Sequence, residues 1–146
     1  MKFTEIKKDL FSIDKDYTLV HCISEDCAMG AGIAVDFNKK FKNMKRDLLK
    51  TLKDNDLHYP LSILFLGENQ NVINMITKER YYHKPTYDNF EHALEDVILL
   101  CKKYEITILA MPKIGSGLDR LDWEKIKQMI KDKFKDLDIE IIVCYI

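Results

Sequence analysis

Apolar residues along this chain fall into two rhythms. Short runs that are apolar nearly throughout, TLVHCI (18–23), LSILFLG (61–67), NVINMIT (71–77), ITILAMP (106–112) and IEIIVCYI (139–146), are set off by polar stretches. Such runs predict strands covered on both faces, as in a parallel sheet with helices above and below. The opening KFTEIKK alternates instead, which predicts a further strand at a sheet edge.

The second rhythm is helical. AGIAVDFNKKFKNMKRDLLKTLKDN offers one or two helices, with Phe41, Met44, Leu48 and Leu49 at the helical repeat. TYDNFEHALEDVILLCKKYE keeps Phe90, Leu94, Val97, Ile98 and Cys101 on one stripe, with Thr86 as candidate N-cap. LDWEKIKQMIKDKFKD repeats the pattern through Trp123, Ile126, Met129, Ile130 and Phe134, with Asp122 at its start. Strands interleaved with helices predict an α/β fold, a three-layer α/β/α sandwich around a mixed, mostly parallel six-stranded sheet. With no linker, repeat or low-complexity tract, residues 1–146 read as a single domain.

Composition narrows the classes. At 47% hydrophobic and 32% charged the chain is an ordinary globular one, and a formal net charge of -1 supplies no global basic field for nucleic acid. No apolar run reaches the roughly 20 residues that span a bilayer, and the start lacks the apolar core of a signal peptide. A cytoplasmic monomer is therefore expected, with no membrane partner and a nuclear location open in a eukaryote. Cys22, Cys27, Cys101 and Cys144 form no regular framework, so reduced thiols are expected. His21, Cys22 and Cys27 lack a second spaced ligand pair, so neither a metal nor another cofactor is expected.

The five glycines sharpen the reading, because four of them fall in two G-x-G turns, MGAGIAVDF (29–37) and IGSGLDRLDW (114–123). Each follows a predicted strand and precedes a predicted helix. Glycine tolerates positive φ and carries no side chain, so backbone N–H groups can turn toward an anion, and a helix N-terminus adds partial positive charge. Neither turn is a Walker motif, since no G-K-[ST] follows, and neither has the third glycine of a dinucleotide fingerprint.

HCISEDCAMGAGIAVDFNKKF, ITKER with HKPTY close behind, and MPKIGSGLDRLDW together resemble a macrodomain, specifically the branch containing the terminal ADP-ribose protein glycohydrolase. The resemblance implies an ADP-ribose cleft at the strand carboxyl ends, with the diphosphate between the two glycine turns. It implies that Asp9, followed by Leu10, binds the adenine, although Lys8 stands where the family commonly has glycine. Ser24, Met29, Gly30, Gly32 and Ile33 would line the phosphate and distal ribose, and Pro112, Ile114, Gly115, Ser116, Gly117 and Leu118 the second wall.

The resemblance puts the chemistry on Lys78 and Asp119. In this branch the lysine attacks the anomeric carbon of the distal ribose as an amine and gives a covalent adduct, with the aspartate assisting attack and release. A neutral amine is needed, so the lysine must be desolvated or set near other cations, for which Arg80, Lys84 and Lys113 are candidates. Asp122 is the better placed helix cap, which leaves Asp119 for chemistry. His83 and Tyr87 are candidates for shaping the cleft. SEDCAMGAGIAV lacks the asparagine-rich and triple-glycine loops of other hydrolysing branches, which favours the lysine route. The implied activity removes terminal ADP-ribose from acidic side chains and deacylates O-acyl-ADP-ribose; ADP-ribosylated nucleic acid bases are an alternative substrate, and a non-catalytic ADP-ribose reader is the alternative function.

Overall fold

The apolar and alternating runs become the strands of one six-stranded sheet in the computed structural model, which describes all 146 residues, Met1–Ile146. They are β1 (Lys2–Lys7), β2 (Thr18–Ser24), β3 (Leu61–Phe65), β4 (Val72–Lys78), β5 (Ile108–Met111) and β6 (Glu140–Tyr145). Helices α1 (Ile33–Lys40), α2 (Met44–Asp54), α3 (Tyr87–Tyr104) and α4 (Trp123–Phe134) fill the intervals, with one 3-10 turn at Leu10–Ser12. The order across the sheet is β1-β6-β5-β2-β4-β3. Every pairing is parallel except β3 with β4, so the sheet is mixed and mostly parallel, with the alternating strand β1 at an edge as its pattern predicts.

Successive side chains of a strand point to opposite faces, which divides the core into two layers. Val20, Ile73, Met75, Leu109 and Met111 pack with Phe90, Leu94 and Val97 of α3 and with Ile126, Ile130 and Phe134 of α4. Their sequence neighbours Leu19, Val72, Ile76 and Ala110 pack on the other face with Phe37 of α1 and with Met44, Leu48 and Leu52 of α2.

Local details correct the pattern in three places. The segment after the first glycine turn is two helices, broken at residues 41–43, where Asn43 takes a left-handed φ of 70°. Phe41 lies in that break and stacks on Phe37, ring centroids 5.8 Å apart, instead of sitting on a helical stripe. Leu49 is 41% exposed and Leu52 takes its place, because α2 starts at Met44 and buries the row Met44, Leu48, Leu52. The run 106–112 yields a strand only from Ile108, where pairing with Glu140 begins; the Ile106 N–H instead closes α3 on the Cys101 carbonyl at 2.9 Å.

Five strands run the same way, so their carboxyl ends gather along one edge of the sheet. β2 and β5 are neighbours there, yet the chain leaves β2 toward α1 and the β4 side and leaves β5 toward α4 and the β6 side. Connections that diverge from adjacent parallel strands open a crevice between them.

Candidate active site

A cavity of about 630 Å³ occupies that crevice, a volume suited to a small-molecule ligand. Its floor is the end of β2 from His21 to Ser24 with Lys78 of β4; its walls are residues 28–34 and 112–119, Ser116 excepted. Tyr81 and Lys84, from the connection between β4 and α3, complete it.

The first glycine turn is shaped by left-handed residues, Cys27 at φ 52°, Met29 at φ 49° and Gly32 at φ 62°. Gly32 is also the N-cap of α1 and contributes no side-chain cap. The backbone N–H groups from Met29 to Ala34 find no acceptor within the chain. Unpaired amides in cavity-lining residues, joined to the positive end of α1, make a receptor for anionic oxygens. Asp26 holds this turn in place: its carboxylate accepts from Ser24 Oγ, from the Ala28 N–H at 3.2 Å and from the Tyr81 N–H at 3.0 Å. Burial pushes the Asp26 carboxyl up, but those hydrogen bonds and the Arg80 charge together hold it below its ordinary value.

The second turn is built differently. Gly115 takes the left-handed φ of 76°, and a Cβ there would come within 3.0 Å of the Phe90 ring. The chain then folds back on itself, with the Leu121 N–H on the Gly115 carbonyl at 2.8 Å and the Arg120 N–H on that of Gly117 at 3.2 Å. Asp122 caps α4 through the Glu124 N–H at 2.9 Å. Residues 118–122 therefore separate the glycines from the α4 N-terminus, and the expected turn-to-helix dipole contact exists only at the first turn. Leu118 reaches across the crevice to within 3.3 Å of where a Gly32 Cβ would stand, and its carbonyl accepts from Lys84 Nζ.

Lys78 ends β4, and its Nζ donates to Asp119 Oδ1 at 2.7 Å across the cavity floor. Both side chains are largely shielded, 13% and 14% exposed, a setting in which an ion pair is much less screened than at the surface. Cys22 lines the same floor, where burial and the Asp119 carboxylate push its thiol up. A thiol so placed stays protonated and is a poor nucleophile. His21, one residue back, faces the other layer, stacked on Phe37 at 3.8 Å and bonded through Nε2 to Asn74 Oδ1 at 2.7 Å. Burial drives its pKa down to about 4 against the pull of the Asn74 bond, so the ring is neutral.

Residues 20–130 match the family model of the Macro domain. This chain belongs to the Macro domain family. The macrodomain is 43% identical over 142 residues to human ADP-ribose glycohydrolase OARD1, spanning 97% of this chain and 90% of that protein. It is 25% identical over 142 residues to the DNA ADP-ribosyl glycohydrolase of Mycobacterium tuberculosis, over 92% of this chain but 40% of the longer protein. Among solved structures, the macrodomain of Mycobacterium tuberculosis DarG superposes with a TM-score of 0.86 over 97% of this chain and 96% of its own, at 24% identity, which establishes the fold.

The macrodomain brings together most of the residues singled out in its sequence. Lys78, Asp119, Ser24, Met29, Gly30, Gly32, Ile33, Pro112, Ile114, Gly115, Gly117 and Leu118 all line the cavity. Asp9, Leu10 and Ser116 do not. Asp9 follows β1 and caps the 3-10 turn through the Phe11 N–H at 3.0 Å, Leu10 is buried in the α1/α2 layer, and Ser116 Oγ donates back to the Lys113 carbonyl at 2.7 Å. Lys84 and Lys113 line the cavity, whereas exposed Arg80 stands outside it. His83 and Tyr87 act within the loops: His83 Nδ1 accepts the Arg80 N–H at 3.3 Å, and the Tyr87 hydroxyl accepts the Asp122 N–H at 2.9 Å. Sequence reasoning missed Tyr81 and the anchoring role of Asp26. The signal for Asp26 was its place just past the end of a strand, beside the first turn; Tyr81 in RYYHKP carried none.

Proposed function

We propose that this macrodomain hydrolyses the bond between ADP-ribose and an acyl oxygen, releasing ADP-ribose from acidic side chains and deacylating O-acyl-ADP-ribose. The observation that carries the reading is the Lys78–Asp119 pair, 2.7 Å apart on the floor of a cavity walled by unpaired backbone amides. The diphosphate lies against residues 29–34 and the turn at Gly117, and the distal ribose lies over Lys78. Asp119 Oδ1 takes a proton from Lys78 Nζ, and the amine attacks the anomeric carbon as the carbon–oxygen bond to the carboxylate breaks. Water then releases the sugar as ADP-ribose, with Asp119 returning the proton. The name borne by the human relative supports this chemistry, since that protein is an ADP-ribose glycohydrolase. Asp9 retains an exposed position past β1 from which its carboxylate can meet the adenine.

A second reading, hydrolysis of ADP-ribose from nucleic acid bases, is favoured by the mycobacterial relative, a DNA ADP-ribosyl glycohydrolase. Four unpaired cysteines, three of them buried, fit a cytoplasmic monomer in a reducing compartment.

The test is to incubate the enzyme with an ADP-ribosylated glutamyl peptide under borohydride and map the product by mass spectrometry. An adduct on Lys78, together with loss of turnover but retained ADP-ribose affinity in Lys78→Ala, is expected. Full turnover by Lys78→Ala would end the lysine mechanism, and tight ADP-ribose binding without any turnover would make the protein a reader.

A further inference from the structure

Residues 79–84 hold two tyrosines that the fold does not use. Tyr81 is 64% exposed and Tyr82 is 66% exposed, yet they lie edge to face with centroids 5.3 Å apart, and Tyr82 meets the His83 ring at 4.7 Å. Two large rings left in water by a segment this short stand out against a surface otherwise rich in lysine and aspartate.

The segment is rigidly anchored. The Asp26 N–H donates to the Glu79 carbonyl at 3.2 Å, and the Tyr81 N–H donates to Asp26 Oδ2 at 3.0 Å. The His83 N–H donates to the Arg80 carbonyl at 3.0 Å while its ring Nδ1 accepts the Arg80 N–H at 3.3 Å. Lys84 ties the far end to the Leu118 carbonyl. Exposed rings on a pre-ordered turn lose little freedom when a ligand stacks on them.

Its position supplies the direction. The segment leaves β4 directly after Lys78, and Tyr81 and Lys84 line the same cavity as the Lys78–Asp119 pair. Arg80, Lys84 and Lys113 add three cations to this rim. Flat rings beside cations bind unpaired bases and their phosphates by stacking and charge, whereas an extended peptide strand would ask for an exposed strand edge or a pocket for each side chain.

We infer that Tyr81 and Tyr82 form a leaving-group subsite that stacks an unpaired nucleobase carrying the ADP-ribose, so that the macrodomain prefers base-linked ADP-ribose in single-stranded nucleic acid. The inference rests on the proposed orientation, with the distal ribose over Lys78. In that orientation the bond to a base nitrogen breaks as Lys78 Nζ bonds the anomeric carbon. The base nitrogen keeps the electron pair and takes the proton that Asp119 accepted from Nζ. Water completes the hydrolysis to ADP-ribose and free base.

The experiment compares two substrates, a short single-stranded oligodeoxynucleotide bearing ADP-ribose on a base nitrogen and a peptide bearing it on glutamate. Wild type is compared with Tyr81→Ala, Tyr82→Ala and Tyr81→Phe, each checked for ADP-ribose affinity to confirm folding. Tyr81→Ala is expected to lower the oligonucleotide-to-peptide ratio of kcat/KM by about tenfold or more, chiefly through KM. Tyr82→Ala lowers it less, and Tyr81→Phe keeps it. A ratio that stays put, whether both substrates fall together or neither changes, overturns the inference, as does a larger loss on the peptide, which would mark a peptide-docking surface. Wild type that cleaves the peptide and leaves the oligonucleotide intact overturns this inference alone. Cleavage of neither substrate overturns the enzymatic reading beneath it.

Discussion

The two glycine turns look alike on paper and are opposites in three dimensions. In the first the second glycine, Gly32, carries the left-handed φ; in the second it is the first, Gly115. Their partners Gly30 and Gly117 have ordinary φ values, and a Cβ added to either meets nothing within 4 Å. Each turn thus uses one glycine to bend the chain and one to leave room in the cavity. The turns also differ in what they offer a ligand. The first presents unpaired amides at the start of α1, while the second presents a carboxylate, Asp119, and is set apart from its helix by residues 118–122. One turn is shaped to grip anions and the other to manage a proton.

That contrast can be broken experimentally, and the carboxylate is the place to start. Asp119→Asn keeps the shape and removes the proton acceptor, so steady-state turnover is expected to fall by about 10³-fold with ADP-ribose affinity nearly unchanged. A loss of affinity instead would make the second turn a binding element like the first.

Beneath the first turn, His21 is neutral in the fold with its pKa pushed from 6.5 down to about 4 by burial. Between those values the unfolded chain binds the extra proton and the folded chain does not. The stability from this group is therefore complete above pH 6.5 and is lost as pH falls toward 4, by about 3 kcal/mol in all. Urea denaturation across that window should show the loss, and His21→Gln should flatten it.

The glycines themselves separate bending from space. Gly115→Ala combines a strained φ with a 3.0 Å approach to the Phe90 ring and should cost about 2–3 kcal/mol in thermal or chemical unfolding. Gly32→Ala meets only the flexible end of Leu118, at 3.3 Å, and should cost about 1–2 kcal/mol. Gly30→Ala and Gly117→Ala should leave stability within about 0.5 kcal/mol and still weaken ADP-ribose binding by about tenfold, measured by calorimetry. If these two variants bind normally, the open space beside them is not where the diphosphate lies.

Much of the fold was legible because buried strands and amphipathic helices write their environment into residue type. The five apolar runs became strands, and Thr86 and Asp122 cap α3 and α4 through hydrogen bonds to the next residues along. Errors arose where partners from elsewhere decide. Leu49 and Leu52 are equally good helix residues, and only the placement of α2 against the sheet buries the second. Ser116 and Gly117 are neighbours in one turn, and only the hydrogen bond of Ser116 to Lys113 turns its hydroxyl out of the cavity lining. Tyr81 is one of two adjacent tyrosines in a polar loop, with nothing local to say that its ring faces the cavity.

By itself the sequence determined the layers, the edge strand, the two bends and the caps, because each depends on contacts within a few residues or on a repeat matched to one face. The tertiary structure decided which of the two bends reaches a helix dipole and that Lys78 meets Asp119. Those two residues lie 41 positions apart, and they touch because β4, β2 and β5 run side by side and deliver their ends to the same crevice. No local preference encodes that meeting; the sheet order does.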